Sequence, residues 1–141
     1  VRRLGAACLL LLAVHAAAVA QTRKPPPPAP PAPEPAPVAP PPYETRLLRL
    51  SEILGALAHL TDVCGARDAP QWRVKMQALL DAEGARNPAE KERLAGAYNR
   101  GFRGYALSYR SCTPNAEAVI GRFLDEGGKI ADDVVNRFGA T

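Results

Sequence analysis

The sequence predicts an all-α protein. After Tyr43 the apolar residues recur at steps of three and four, no segment alternates with period two long enough to make a strand, and prolines and glycines stand where helices begin and end. Four such segments with short connections predict a small four-helix up-and-down bundle over residues 43–141, held by one disulfide. A signal peptide over 1–20 and a proline-rich, disordered or polyproline spacer over 21–42 are expected to precede it.

Residues 1–20 read VRRLGAACLLLLAVHAAAVA: two arginines, an apolar run from Leu4 to Val14, then the small residues Ala18-Val19-Ala20 that suit a signal peptidase. A membrane anchor is the alternative; the stretch from Leu4 to Ala20 sits at the short limit for a bilayer span and contains His15. Arg2-Arg3 is not followed by a twin-arginine pattern, and Cys8 precedes most of the apolar run where a lipoprotein cysteine would follow it. Export to the periplasm, with no membrane span after cleavage, is the expectation.

Residues 25–42, PPPPAPPAPEPAPVAPPP, hold 12 of the 15 prolines. Proline removes the backbone donor and fixes φ, so neither helix nor sheet is expected. An extended spacer of roughly 55 Å follows from ~3.1 Å per residue. A docking site for an aromatic groove is the alternative use, but a Pro/Ala tract has almost no side-chain code.

The first helix is expected over 44–63 on Leu47, Leu50, Ile53, Leu54, Leu57 and Leu60, with Gly65 as terminator. The second starts near Pro70, carries Trp72, Met76, Leu79 and Leu80, and ends at Gly84. Asn87-Pro88-Ala89-Glu90 reads as a cap, a first-turn proline and a carboxylate at the third helical position, opening a third helix from Pro88 to about Ser111. Thr113-Pro114 opens the fourth by the same logic, with an apolar face running from Val119 through Phe123, Leu124, Ile130 and Val134 to Phe138, and Gly127-Gly128 as a point where it kinks or breaks.

Along the third helix, Leu94, Tyr98, Gly101, Phe102, Tyr105, Tyr109 and Cys112 fall on one arc, which is expected to face the core. Gly101 on that arc implies close approach of a neighbouring helix. Arg93, Arg100, Arg103 and Arg110 fall opposite, as a solvated face or as a contact for an anionic partner. Nucleic acid is not the expected partner, because stacking rings would have to share the basic surface. The net charge of +4 also drops to +2 without Arg2 and Arg3, and to +1 over 43–141.

Beyond position 20 two cysteines remain. Cys64 and Cys112 close the first and third helices, which run parallel in an up-and-down bundle, so a Cys64–Cys112 disulfide is predicted. A redox pair would be closely spaced at a helix start. A zinc site needs more ligands than His59, the one histidine left, so no metal or cofactor is expected.

With 141 residues, and 99 of them after the proline tract, neither a multidomain enzyme nor a doubly wound nucleotide-binding fold is expected. It has no glycine-rich phosphate loop and no G-x-S-x-G elbow. Ser51, Glu52 and His59 are expected on the polar side of the first helix with Asp62 nearby, and a small envelope hydrolase using Glu52 and His59 is the enzymatic alternative. His59 reads more simply as a partly exposed histidine bonded to Asp62. The pairs Asp125-Glu126 and Asp132-Asp133 diverge on a helix and read as partners for Arg122, Lys129 and Arg137.

The stretch L-x-R-L-S-E-I-L-G-A-L-x-H-L followed by a cysteine, Trp72 with Met76-Gln77-x-Leu79-Leu80, and A-Y-N-R-G-F-R-G-Y-A-L-S-Y-R-S-C-T-P at 97–114 resemble an uncharacterised family of small exported proteobacterial proteins, a domain of unknown function. The resemblance covers about residues 45–138 and implies an exported helical protein, with no catalytic residue or ligand to carry over. A non-enzymatic interaction or structural module of the envelope is the functional expectation. Its partner is an envelope component: a protein, an anionic polymer or a lipid headgroup. An apolar-ligand carrier marked by Trp72 and Tyr105 is a further alternative.

Overall fold

The computed structural model describes residues 39–139, so the signal-peptide expectation and the proline tract up to residue 38 lie outside it. Four helices make up this part: α1 (Glu44–Val63), α2 (Gln71–Gly84), α3 (Pro88–Ser108) and α4 (Pro114–Phe138), with no strand among the described residues.

Local chemistry accounts for most helix ends. Asn87 and Thr113 each accept a backbone N–H with the side chain, from Ala89 and Ala116 at 3.1 Å, and Pro88 and Pro114 stand where a helix has no use for the missing donor. At the end of α1, Gly65 takes φ +68°, the Ala66 N–H donates to the Thr61 carbonyl and the Gly65 N–H to the Asp62 carbonyl. That double closure is a Schellman motif, and it needs a residue free to turn left-handed. Two expectations are corrected. α3 stops at Ser108, three residues early, because Tyr109 turns extended (φ −119°, ψ 99°) and starts the connection to Thr113 that carries Cys112. α4 runs through Gly127-Gly128 without a break, since Gly127 is packed against Ile53 and Leu50 of α1.

α1 takes the centre because its residues 53–58 are buried without interruption, which covers every face of a helix. Ile53, Leu57 and Leu60, with Leu94 of α3, are sealed from solvent. Ser51, expected on the polar side of α1, is buried with them, as is Thr61, and both hydroxyls donate back to the carbonyls of Leu47 and Leu57 at 2.8 and 2.7 Å, so neither is left unpaired.

Helix directions alternate as an up-and-down order requires. Glu44–Arg93, Glu52–Arg100 and Cys64–Cys112 pair α1 with α3 in parallel. Arg46–Asp133 and Arg49–Glu126 pair α1 with α4 antiparallel. The cross-section, however, is not that of a square bundle. α1 and α3, diagonal in a square, are here the closest pair. α2 and α4 each pack on α1, and no Cα atom of α4 lies within 8 Å of one in α2 or α3.

The reason for the close pair is glycine. A Cβ on Gly101 would overlap the Glu52 carbonyl oxygen, and one on Gly55 would overlap the Tyr98 carbonyl and lie 2.9 Å from the Phe102 nitrogen. The backbones meet where both side chains are absent. The sequence marks Gly101 as a close approach; it does not mark its partner Gly55.

This arrangement also corrects the apolar face of α4. Only Ala116, Val119, Phe123 and Gly127 are buried there, while Leu124 is 45% exposed and Ile130, Val134 and Phe138 are half-buried. α4 packs along α1 and meets α3 through side chains, as at Phe123 and Tyr105, where a square bundle would offer it two close helices.

Candidate functional site

The predicted disulfide is present. Cys64 and Cys112 are bonded, with Cα atoms 4.7 Å apart, and join the end of α1 to the segment after α3.

The four arginines separate into two kinds. Arg93 ties the start of α3 to α1: its guanidinium meets Glu44 and Glu90, each at 2.5 Å. Glu90 is wholly buried at the third position of α3, where the helix N-terminus favours negative charge. It does not reach back to its cap residue, whose N–H donates instead to the Glu83 carbonyl. The hydrogen bond that Arg93 donates to Glu90, then the field of Glu90 and Glu44, holds the guanidinium above its ordinary pKa. Arg100 contacts Glu52 at 3.4 Å. Arg103 and Arg110 are exposed and have no carboxylate partner among the described residues. Arg93 is thus a structural residue; Arg103 is the open cation on α3, with Arg100 three residues before it, and Arg110 falls outside the predicted arc because the helix stops at Ser108.

Glu52 and His59 do not converge on a reacting atom. The Glu52 carboxylate is shared between Arg49 at 3.5 Å and Arg100 at 3.4 Å. The His59 Nε2–H donates to the Tyr109 carbonyl at 2.7 Å, in place of the predicted Asp62 bond, and the ring stands edge-on to Phe102 at 5.5 Å. A carbonyl oxygen only accepts, so this contact places the proton on Nε2. Both side chains fasten α1 to α3.

Of the acidic residues on α4, Asp125 pairs with Lys129 and Asp133 with Arg137, as expected. Glu126 and Asp133 also reach across to Arg49 and Arg46 of α1, which the local pattern does not indicate. Arg49 is bidentate on Glu126 at 2.7 and 2.9 Å, with its guanidinium 5.5 Å from the Phe123 ring centre. The hydrogen bond from Arg49 holds the Glu126 carboxyl below the ordinary carboxylate range. A depressed carboxyl contributes stability that is present above its unfolded pKa and is lost as pH falls through the folded value. Glu126→Gln is therefore expected to lower the thermal midpoint at neutral pH by the equivalent of about 0.5 kcal/mol, as for a partly exposed pair. Melts recorded from neutral to strongly acidic pH should show this gap closing below the ordinary carboxyl value of 4.5. A gap constant over that range would show that the ion pair contributes nothing.

The separation of α2 from α4 leaves an apolar cleft of about 440 Å³ above α1, within the size of small-ligand sites. Its floor is Leu50, Leu54 and Leu57. Trp72, Lys75 and Leu79 form the α2 wall, and Leu124, Gly128 and Ala131 the α4 wall. Each set runs from i to i+7 at helical spacing, so each is a two-turn stripe about 10 Å long. Trp72 is a cleft residue, as the carrier alternative expects. Tyr105 is elsewhere, stacked on Tyr109 at 5.9 Å and edge-on to Phe123 at 5.3 Å. Sequence reasoning misses Lys75 and Gly128, although the stripe Leu124, Gly128, Ala131 at i, i+4, i+7 is legible once α4 is known to have an open side.

A second depression, between α2 and α3, is lined by Tyr98 and Phe102 with Arg73 and Asn99 at its edge. Leu94 and Gly101 are buried and Tyr98, Phe102 and Tyr105 half-buried, so the predicted arc faces inward along α3; its last members, Tyr109 and Cys112, lie past the helix end, and Cys112 is exposed. Among the described residues no three His, Cys, Asp or Glu side chains are grouped to hold a metal, and no helix is long and apolar enough to cross a membrane.

No curated protein and no solved structure matches the chain. Residues 42–138, from the turn before α1 to the end of α4, match one family, and the chain belongs to it: the proteins of unknown function DUF2385.

Proposed function

We propose that the protein is a non-enzymatic interaction module of the cell envelope, exported by its first 20 residues and carried on the proline-rich spacer of residues 21–42. The observation that carries this reading is the division of labour among the polar side chains. Glu52, His59 and Arg93 are spent on fastening α1 to α3, while Arg103 and Arg110 stand exposed without a carboxylate partner among the described residues. Arg103 near the end of α3 and Arg110 in the segment after it suit an anionic polymer, an acidic protein surface or a lipid headgroup. Export is supported by the tripartite pattern of residues 1–20 and by a disulfide of the kind that an oxidising compartment maintains. A near-neutral folded part, with its rings turned from the arginines, argues against nucleic acid.

Binding to isolated cell wall and to anionic vesicles tests the reading. Arg103→Gln with Arg110→Gln is expected to weaken binding about two- to thirtyfold, at ~0.2–1 kcal/mol for each exposed contact, and added salt should weaken the parent in the same way. Arg93→Gln is expected to lower thermal stability as well, because it unpairs the buried Glu90. Unchanged affinity in the double variant would eliminate Arg103 and Arg110 as the contact surface.

A further inference from the structure

We infer that the protein associates with a second copy of itself through α4, the two α4 helices lying antiparallel about a two-fold axis at Gly128. The inference does not depend on Arg103 or Arg110.

α4 carries two apolar faces. Ala116, Val119, Phe123 and Gly127 make up the buried one, which rests on α1. Gly121, Leu124, Gly128, Ala131 and Val135 make up the other, at i, i+3, i+7, i+10 and i+14. That is the spacing of a helix–helix seam, here about 21 Å long. No second helix of the same chain closes over it: α1 is the one helix with Cα atoms within 8 Å of α4. Leu124 is 45% and Val135 65% exposed. The two glycines are a separate observation. Each costs about 1 kcal/mol relative to alanine inside a helix. Gly55, Gly101 and Gly127 are used by the fold, since a Cβ on any of them would meet α1 or α3; a Cβ on Gly121 or Gly128 would meet nothing within 4 Å. Both unused glycines lie on the open stripe, where they leave room for a backbone from outside the chain.

The order of sizes along the stripe selects the occupant. Turned end for end about Gly128, the stripe lays Gly121 opposite Val135 of the partner subunit and Leu124 opposite Ala131 of the partner subunit. Each large side chain then meets a small one, and the two-fold axis repeats both pairs, as in most dimers. In a parallel pair Leu124 and Val135 would each meet their own copies and the glycines would face glycines, so the seam would alternate between crowding and gaps. The charges beside the stripe, Arg122, Asp125, Lys129 and Asp132, are two of each sign, so the seam brings no net charge together. A helix of unrelated sequence gives no reason for sizes that read as complements from the two ends. A contact one helix wide lies at the low end of the interface range, below about 1,200 Å², where association is reversible.

Sedimentation velocity on the full chain, from about 1 μM to 1 mM, should show a monomer–dimer equilibrium. Leu124→Ala with Val135→Ala is expected to weaken it roughly tenfold or more. The thermal midpoint in dilute solution should stay nearly level, because both side chains are exposed in the single copy. Orientation is read by disulfide trapping in a Cys8→Ser background, where the other two cysteines are already bonded. Gly128→Cys should trap as a dimer, and so should Gly121→Cys mixed with Val135→Cys. Gly121→Cys by itself should not, because the antiparallel pair holds its two copies about 21 Å apart and a disulfide needs Cα atoms within about 7 Å. A parent that stays monomeric throughout, whatever else then covers the stripe, overturns the inference. So does association indifferent to the double alanine exchange, or Gly121→Cys trapping alone as readily as in the mixture.

Discussion

Gly101→Ala is expected to lower the stability of the folded part by about 3 kcal/mol, and Gly104→Ala, three residues on in the same helix, to raise it by up to ~1 kcal/mol. Both exchange the same atoms and both gain helix propensity. They differ in what the new methyl group meets. At Gly101 it would overlap the Glu52 carbonyl oxygen of α1, a backbone atom that no rotamer change can move; at Gly104 it meets nothing within 4 Å. Overpacking ordinarily costs about 1–3 kcal/mol because side chains give way, and here they cannot. Gly55→Ala should behave like Gly101→Ala, since it addresses the same contact from the other side. For a folded part of about 100 residues, 3 kcal/mol corresponds to a fall of roughly 12–24 °C in thermal midpoint. Calorimetry on the three variants checks the sign pattern. Gly101→Ala and Gly104→Ala shifting in the same direction would show that the α1–α3 contact is not the tight one.

Removal of the disulfide is the second large effect. Cys64→Ser with Cys112→Ser opens a loop of 48 residues, which the chain-entropy model values at about 4 kcal/mol. The expected fall in thermal midpoint is on the order of 15–30 °C, and reductant added to the parent should approach it, with Cys112 as the exposed sulfur. The bridge and the glycine contact act on the same two helices. Their losses should therefore not simply add: with the bridge gone, α3 has less to hold it against α1, and Gly101→Ala is expected to leave no cooperative unfolding transition. A double-serine variant within about 1 kcal/mol of the parent would show that α1 and α3 already associate in the unfolded chain.

Much of this architecture is legible in the chain's local chemistry. The caps Asn87 and Thr113, the first-turn prolines and the left-handed Gly65 each need only their neighbours within four residues, and each stands where the pattern places it. The Cys64–Cys112 pair follows from parity and parallel helix direction. Three further features depend on partners distant in the chain. Periodicity reports that a residue faces inward but not which helix it meets, so the α1–α3 contact is half visible at Gly101 and invisible at Gly55. Arg93, Arg100 and Arg103 share one arc of α3, yet the acids that separate them, Glu44 and Glu52, come from α1, and the predicted fourth member, Arg110, lies past the helix end. The cleft is the gap between two helices whose Cα atoms stay more than 8 Å apart, and periodicity in either helix does not say that its apolar stripe faces a gap.

By itself the sequence determined the all-helical class, the places where helices start and stop, and the cysteine pair, because these follow from backbone dihedrals, short-range hydrogen bonds and counting. Only the tertiary structure decided that α1 is the hub, that α3 lies against it backbone to backbone, and that α2 and α4 stand apart over a leucine floor. The physical reason is steric: two glycines let one pair of helices approach closer than any side chain allows, and with that pair closed the other two cannot reach each other across α1.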